Sequence, residues 1–126
     1  MHTELLLLQI PVCTLYNQNR RCYELKGEAI YMIRHIVMFK IKDEFKDEIP
    51  QLVKNFYGMK GRIEGMLELE AGADILHSER SYDLALVTLF ENREAFDAYQ
   101  THPVHMPVKK RMHEVRSGSV ACDFEV

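Results

Sequence analysis

The chain has 126 residues and a hydrophobic content of 47%, which fits one domain with one packed core and excludes a wholly disordered chain. Its 16 Lys and Arg residues against 19 Asp and Glu residues give a net charge of −3, which excludes the basic surface typical of proteins that bind nucleic acid or anionic membranes. The three cysteines are widely spaced and form no Cys-x-x-Cys pair, so we expect neither a disulfide framework nor a zinc site. Free cysteines fit a reducing compartment, so we expect a cytoplasmic location.

The first 31 residues lack the periodicity that the rest of the chain has. Neither a strand period nor a helix period persists there, whereas almost every stretch from Ile33 onward carries one. The apolar run at 5–8 is too short to span a membrane, and it lacks the basic flank of a secretory signal. We expect residues 1–31 to be a non-native or disordered extension, with the domain at 32–126 and translation starting at Met32. The alternative is a genuine N-terminal arm whose leucines pack on the domain.

The first half of the domain predicts a strand, a helix and a second strand. The strand has apolar residues on both faces, one face being formed by Ile33, His35, Val37, Phe39 and Ile41 and the other by Ile36 and Met38. The helix carries an apolar stripe at three- and four-residue spacings: Phe45, Ile49, Leu52, Phe56, Met59 and Ile63. Pro50 falls in its first turn, where a missing N–H costs little. In the second strand Leu67, Leu69 and Ala71 alternate with Glu68 and Glu70.

The second half predicts a strand, two helical segments and a final strand. The strand at 82–90 is again apolar on both faces. Asn92 is a good N-cap for the helix that follows, and this helix should end before Pro103 because the residue preceding a proline avoids the helical region. Pro107 can begin the next helix, with Val108, Met112 and Val115 directed inward. Alternating residues at 120–126 predict the last strand.

The order β-α-β-β-α-β predicts an α+β fold of the ferredoxin-like class, with a four-stranded antiparallel sheet and its helices on one face. The helices can cover only one side of this sheet, yet the first and third predicted strands are apolar on both sides. A second copy of the same sheet is the simplest cover for the other side. We therefore expect a homodimer that forms an α+β barrel.

Four segments of the chain together resemble the stress-responsive dimeric A/B-barrel (Dabb) family. They are IRHIVMFKIKD, DLALVTLF, AFDAYQTHPVH and VACDFEV, and the resemblance covers residues 33–126. HPVH after a helix bearing Tyr99 is the most distinctive of them. The family includes plant stress-associated proteins and a plant polyketide cyclase, and it implies the dimeric barrel predicted above.

The resemblance implies three candidate catalytic residues. The cyclase has a tyrosine on a helix, a histidine at the end of an HPxH segment and a histidine in its first strand, and these positions are occupied here by Tyr99, His105 and His35. His105 would act as a general base and Tyr99 would hold a carbonyl oxygen, with no cofactor required. The alternative is structural: Tyr99 packs under the sheet with its hydroxyl bonded, His105 bonds a backbone group, and His35 is a satisfied core histidine.

The other histidines predict no further site. His102 shapes the turn before Pro103, while His77 and His113 face solvent or lie in loops. His102 and His105 are three residues apart, but the intervening proline prevents both rings from sharing a helical face, so no metal is expected. The absence of tryptophan disfavours the haem-degrading branch of related barrels.

The sequence therefore favours a Dabb-type homodimer that binds a small apolar or carbonyl-bearing molecule, or a stress-associated protein without catalysis. The alternative is a cofactor-free enzyme of the polyketide-cyclase or monooxygenase kind that uses His105 and Tyr99. A purely structural assembly protein, with its barrel filled by its own side chains, is the third hypothesis. The expected partners are a second copy of the chain and a small molecule. Binding to nucleic acid or to a membrane is not expected.

Overall fold

The computed structural model describes residues 22–25 and 28–126. The apolar run at 5–8 and Cys13 lie outside the described residues. Strands β1 (Cys22–Leu25) and β2 (Glu28–Tyr31) pair antiparallel with each other and form a two-stranded sheet of their own. The start of translation at Met32 stays a prediction.

The domain is built on one antiparallel sheet of four strands. These are β3 (Ile33–Ile41), β4 (Met66–Ala73), β5 (Leu84–Phe90) and β6 (Arg116–Glu125), in the spatial order β4-β5-β3-β6. A 3-10 turn (Asp43–Glu48) leads into helix α1 (Ile49–Tyr57), and helices α2 (Arg93–Tyr99) and α3 (His105–Val115) follow β5. The element order and strand order confirm the predicted ferredoxin-like α+β fold.

The core lies between the helices and one face of the sheet, which we call the inner face. Strand β3 contributes Ile33, Val37, Phe39 and Ile41, and β5 contributes Leu84, Leu86 and Phe90, all of them buried. The helices add Leu52, Phe56, Tyr99, Met112 and Val115. Since strand residues alternate between faces, His35 is on the inner face with its neighbours Ile33 and Val37.

The opposite, outer face of the sheet carries apolar side chains that remain exposed in the single chain. Met38 is 38% exposed, Val120 42% and Phe124 47%. The register joins them into one surface, because Met38 pairs with Val120 and Ile36 pairs with Cys122. The apolar outer face expected from the sequence is therefore present.

Two predictions in the first half of the domain were wrong in detail. The first helix ends at Tyr57 rather than near Ile63. Met59 and Ile63 lie in the turns that follow the helix, and both are buried. Leu67 is 48% exposed, whereas it was predicted to share a face with Leu69. The cause is a register shift between Met66 and Glu68 on β4, which breaks the alternation.

Three boundaries in the second half also differ. Strand β5 begins at Leu84 instead of residue 82, and the Asp83 carboxylate accepts from Ile41 N at 2.7 Å where the ladder ends. Helix α3 begins at His105, which leaves Pro107 in its first turn, where no intrahelical N–H is needed. Strand β6 begins at Arg116 because pairing with β3 extends through a polar segment that has no alternation. The predicted Asn92 cap is confirmed, since its side chain accepts from Ala95 N at 2.8 Å.

Candidate functional site

A cavity of about 260 Å³ lies between the inner face of the sheet and helices α2 and α3. Its apolar walls are formed by Val37, Phe39, Phe56, Leu86 and Met112. Its polar lining consists of His35, Tyr99, Gln100, His105, Lys109, His113, Arg116 and Ser119. An apolar space with a few convergent polar groups is the usual form of a small-molecule site.

Tyr99 and His105 meet because α2 ends at the one residue and α3 begins at the other. Their rings are stacked, with centroids 3.8 Å apart and planes inclined by 12°. The His105 Nδ1–H donates to the backbone carbonyl of Tyr99 at 2.9 Å, which leaves the lone pair on Nε2. The structural alternative predicted a hydrogen bond from His105 to a backbone group, and this bond is present. It uses Nδ1, so Nε2 is not involved in it.

Burial shifts the ionisation of both side chains toward the neutral form. It lowers the pKa of His105 to about 4; the bond to the Tyr99 carbonyl opposes this shift, and the Lys109 charge adds to it. Burial also raises the pKa of the Tyr99 hydroxyl far above its ordinary range. At neutral pH the cavity therefore holds an uncharged imidazole and a protonated phenol.

The lowered pKa of His105 predicts a pH-dependent stability. The unfolded chain binds a proton at His105 near pH 6.5 and the folded chain only near pH 4, so the free energy of unfolding should fall as pH drops through this window. We expect a loss of about 1–2 kcal/mol, allowing for solvent screening of this partly buried group. Urea titrations from pH 6.5 to pH 4 should show a flatter dependence for His105→Gln than for the wild type. An unchanged slope in His105→Gln would contradict the burial argument.

His35 faces the same cavity from β3 and is paired with a carboxylate. Its Nδ1 is hydrogen-bonded to the Oδ1 of Asp123, its cross-strand neighbour on β6. The His35 ring lies 6.2 Å from the Tyr99 ring and 5.4 Å from the Phe96 ring, measured between centroids. A carboxylate on Nδ1 fixes the orientation and the tautomer of the ring, which is the arrangement of a histidine base.

All three residues singled out from the sequence line this one cavity. Asp123 was missed, because in the sequence it is one of several polar residues alternating along the last strand. The register of β6 on β3 would have revealed it, since that register places Asp123 beside His35. His102 lies outside the cavity, where its Nδ1 accepts from Val104 N at 3.0 Å and its Nε2 lies 3.3 Å from a Glu64 oxygen, so its predicted role in the turn is confirmed.

Comparison with known proteins identifies the family that the chain resembles. A family model described as the stress responsive A/B barrel domain (Dabb) matches residues 33–126. An uncharacterized protein of Streptomyces coelicolor is 31% identical over 77 residues, which cover 59% of this chain and 79% of that protein.

Two solved structures share the fold. A dimeric ferredoxin-like protein of unknown function from Thermobifida fusca superposes with a TM-score of 0.71 and 25% identity, over 86% of this chain and 99% of that one. A hydroxynitrile lyase from Passiflora edulis superposes with a TM-score of 0.67 and 17% identity, over 76% of this chain and 94% of the lyase. At the latter identity the likeness concerns the fold alone. None of the helices within the described residues is long and apolar enough to cross a membrane.

Proposed function

This chain belongs to the stress responsive A/B barrel domain (Dabb) family, and we propose that it is a cytoplasmic homodimer that binds a small apolar or carbonyl-bearing molecule. The observation that carries the proposal is the cavity of about 260 Å³ in which His35, Tyr99 and His105 converge. We also propose that the domain starts at Met32, since the family match begins at Ile33 and the β1–β2 pair is separate from the four-stranded sheet.

The outer face of the sheet supports a dimer. Met38 and Val120 are paired on adjacent strands, Phe124 lies further along β6, and all three are more than a third exposed. Burying this surface against a second copy removes apolar area from water, and each Å² removed stabilises the dimer by about 25 cal/mol. The relative from Thermobifida fusca is described as dimeric. A larger, open groove of about 580 Å³ includes Met38 and Val87 of this face, so we assign it to the subunit contact rather than to ligand.

The chemistry of the inner cavity supports the ligand class. Val37, Phe39 and Leu86 offer apolar walls, which favour a hydrocarbon or aromatic body. Tyr99 remains protonated, and within the described residues its hydroxyl makes no hydrogen bond, so it is available to donate to a carbonyl oxygen. A carbonyl group on the ligand would therefore accept from a donor that has no partner within the described residues.

Binding of 4-phenyl-2-butanone tests this proposal, because it joins a phenyl ring to a carbonyl. In an NMR titration of the ¹⁵N-labelled protein we expect saturable shifts at the amides of Tyr99, Gln100 and Ser119. Ser119→Phe fills the cavity and should abolish them, whereas Ser117→Phe, on an exposed neighbour outside this cavity, should leave them intact. Equal titration of the two variants would count against the cavity as the binding site.

The second candidate function is cofactor-free proton transfer at a carbon next to a carbonyl group. The His35–Asp123 pair favours it, because a carboxylate stabilises the imidazolium that forms when His35 accepts a proton. Tyr99 would donate to the developing enolate oxygen, and neutral His105 would accept a hydrogen bond at Nε2. Deuterium exchange into the carbons beside the carbonyl of 4-phenyl-2-butanone separates this function from binding alone.

A further inference from the structure

The charged groups that line the inner cavity are all basic. Lys109 and Arg116 belong to its lining, and no aspartate or glutamate of the described residues lines it. Asp123, the acidic residue beside this lining, is bonded to His35. This distribution is notable in a chain whose net charge is −3.

Lys109 and Arg116 donate to groups other than carboxylates. Lys109 Nζ donates to the carbonyl of Gln100 at 3.3 Å. Arg116 donates to the hydroxyl of Ser119 and, through Nη2, to Nδ1 of His113 at 3.1 Å. Within residues 28–126, neither cation has a carboxylate oxygen within 4.0 Å, whereas Arg34, Arg93 and Arg111 each form an ion pair.

Two cations beside an apolar cavity attract an anion more strongly than they would in open water. Both residues are partly buried, which lowers the screening of their charges. An arginine matches the two oxygens of a carboxylate, and hydrogen bonds to charged groups contribute more than neutral ones. The neutral carbonyl and hydroxyl groups now bonded to these cations orient them without neutralising them.

We infer that the ligand of this cavity is a carboxylate with an apolar body, and that Lys109 and Arg116 select its anionic group. The inference rests on the proposed function, because it specifies the ligand class of the same cavity. The apolar body lies against the walls formed by Val37, Phe39 and Leu86, and the carboxylate meets Lys109 or Arg116, which line the same cavity. Lys109 and Arg116 are thus specificity-determining residues.

The test compares 3-phenylpropanoate with 3-phenylpropanamide, which have the same shape and differ in charge. Titrations of each compound, followed by NMR at low ionic strength, should give a dissociation constant for the acid about tenfold lower than for the amide. Lys109→Gln and Arg116→Gln should each reduce this ratio severalfold. Lys110→Gln is the matched control, because Lys110 is exposed on the same helix and does not line the cavity. Salt should weaken binding of the acid and not of the amide.

The outcomes separate this inference from the proposed function. Equal binding of acid and amide at the cavity amides would overturn the carboxylate preference and leave small-molecule binding standing. Failure of both compounds, and of 4-phenyl-2-butanone, would overturn both claims. A preference for the acid that Lys109→Gln and Arg116→Gln retain, or that Lys110→Gln loses, would remove the assigned role of these two residues. If Arg116→Gln fails to fold, Lys109→Gln alone decides the point.

Discussion

Replacing His35 by alanine is expected to slow deuterium exchange beside the carbonyl of 4-phenyl-2-butanone by about 10²–10⁴-fold, the usual contribution of a general base. His35 has the carboxylate of Asp123 on Nδ1, so the imidazolium formed by proton abstraction is stabilised in place. Burial lowers the pKa of His105 to about 4, which makes it a poor proton acceptor at neutral pH. The exchange rate, followed by proton NMR in D₂O, should therefore depend more on His35 than on His105.

Four further variants make this prediction specific. Asp123→Asn should lose part of the same rate, because the formed imidazolium loses its counter-charge, and Tyr99→Phe should lose the donor to the enolate oxygen. His77→Ala removes an exposed histidine and should leave exchange unchanged. A larger loss in His105→Ala than in His35→Ala would return the role of base to His105, as the sequence interpretation had it. No acceleration by the wild-type protein would reject the enzymatic function and leave the binding function.

Replacing Gly65 by alanine is expected to lower the free energy of unfolding by about 2–4 kcal/mol. Gly65 precedes β4 with φ of 79°, a conformation that costs a side-chain-bearing residue energy. A Cβ at this position would lie 2.5 Å from the Cβ of Ala95 in α2. The Gly65 carbonyl also accepts from Glu91 N at 2.8 Å, which fixes the approach of the two segments. Urea denaturation measures the loss.

Gly61 offers a matched control for the Gly65 prediction. Its φ of 78° is nearly the same, but an added Cβ would meet no atom within 4 Å. Gly61→Ala should therefore cost only the backbone term, about 1 kcal/mol. The double variant Gly65→Ala, Ala95→Gly should recover part of the loss by removing the clashing methyl. If Gly65→Ala and Gly61→Ala lower the free energy of unfolding equally, this turn does not pack closely against α2. The turn would then not help to hold α2, which carries Tyr99, in place.

The fold could be predicted because hydrophobic alternation and helical spacing are strong along the domain. Strand β3 was predicted with its observed bounds, and apolar residues on both faces of β3 and β5 already implied a second cover for the sheet. The helix cap at Asn92 follows from local chemistry alone. These features depend on neighbouring residues, so a single sequence carries them.

The features that were missed depend on residues far apart in the chain. The shift on β4 that exposes Leu67 and the early start of β6 are set by pairing with neighbouring strands. Asp123 is identified as a site residue only by its hydrogen bond to His35, which lies 88 residues away in the chain. The basic lining has the same origin, because Lys109 and Arg116 line one cavity only after α3 packs on the sheet.

The measurement that tests the central claim most directly is a crystal structure of the protein with 4-phenyl-2-butanone. We predict its phenyl ring in the inner cavity against Phe39 and Leu86, with its carbonyl oxygen within hydrogen-bond distance of the Tyr99 hydroxyl. An inner cavity closed by its own side chains, with the compound absent or bound only on the outer face of the sheet, would contradict the account.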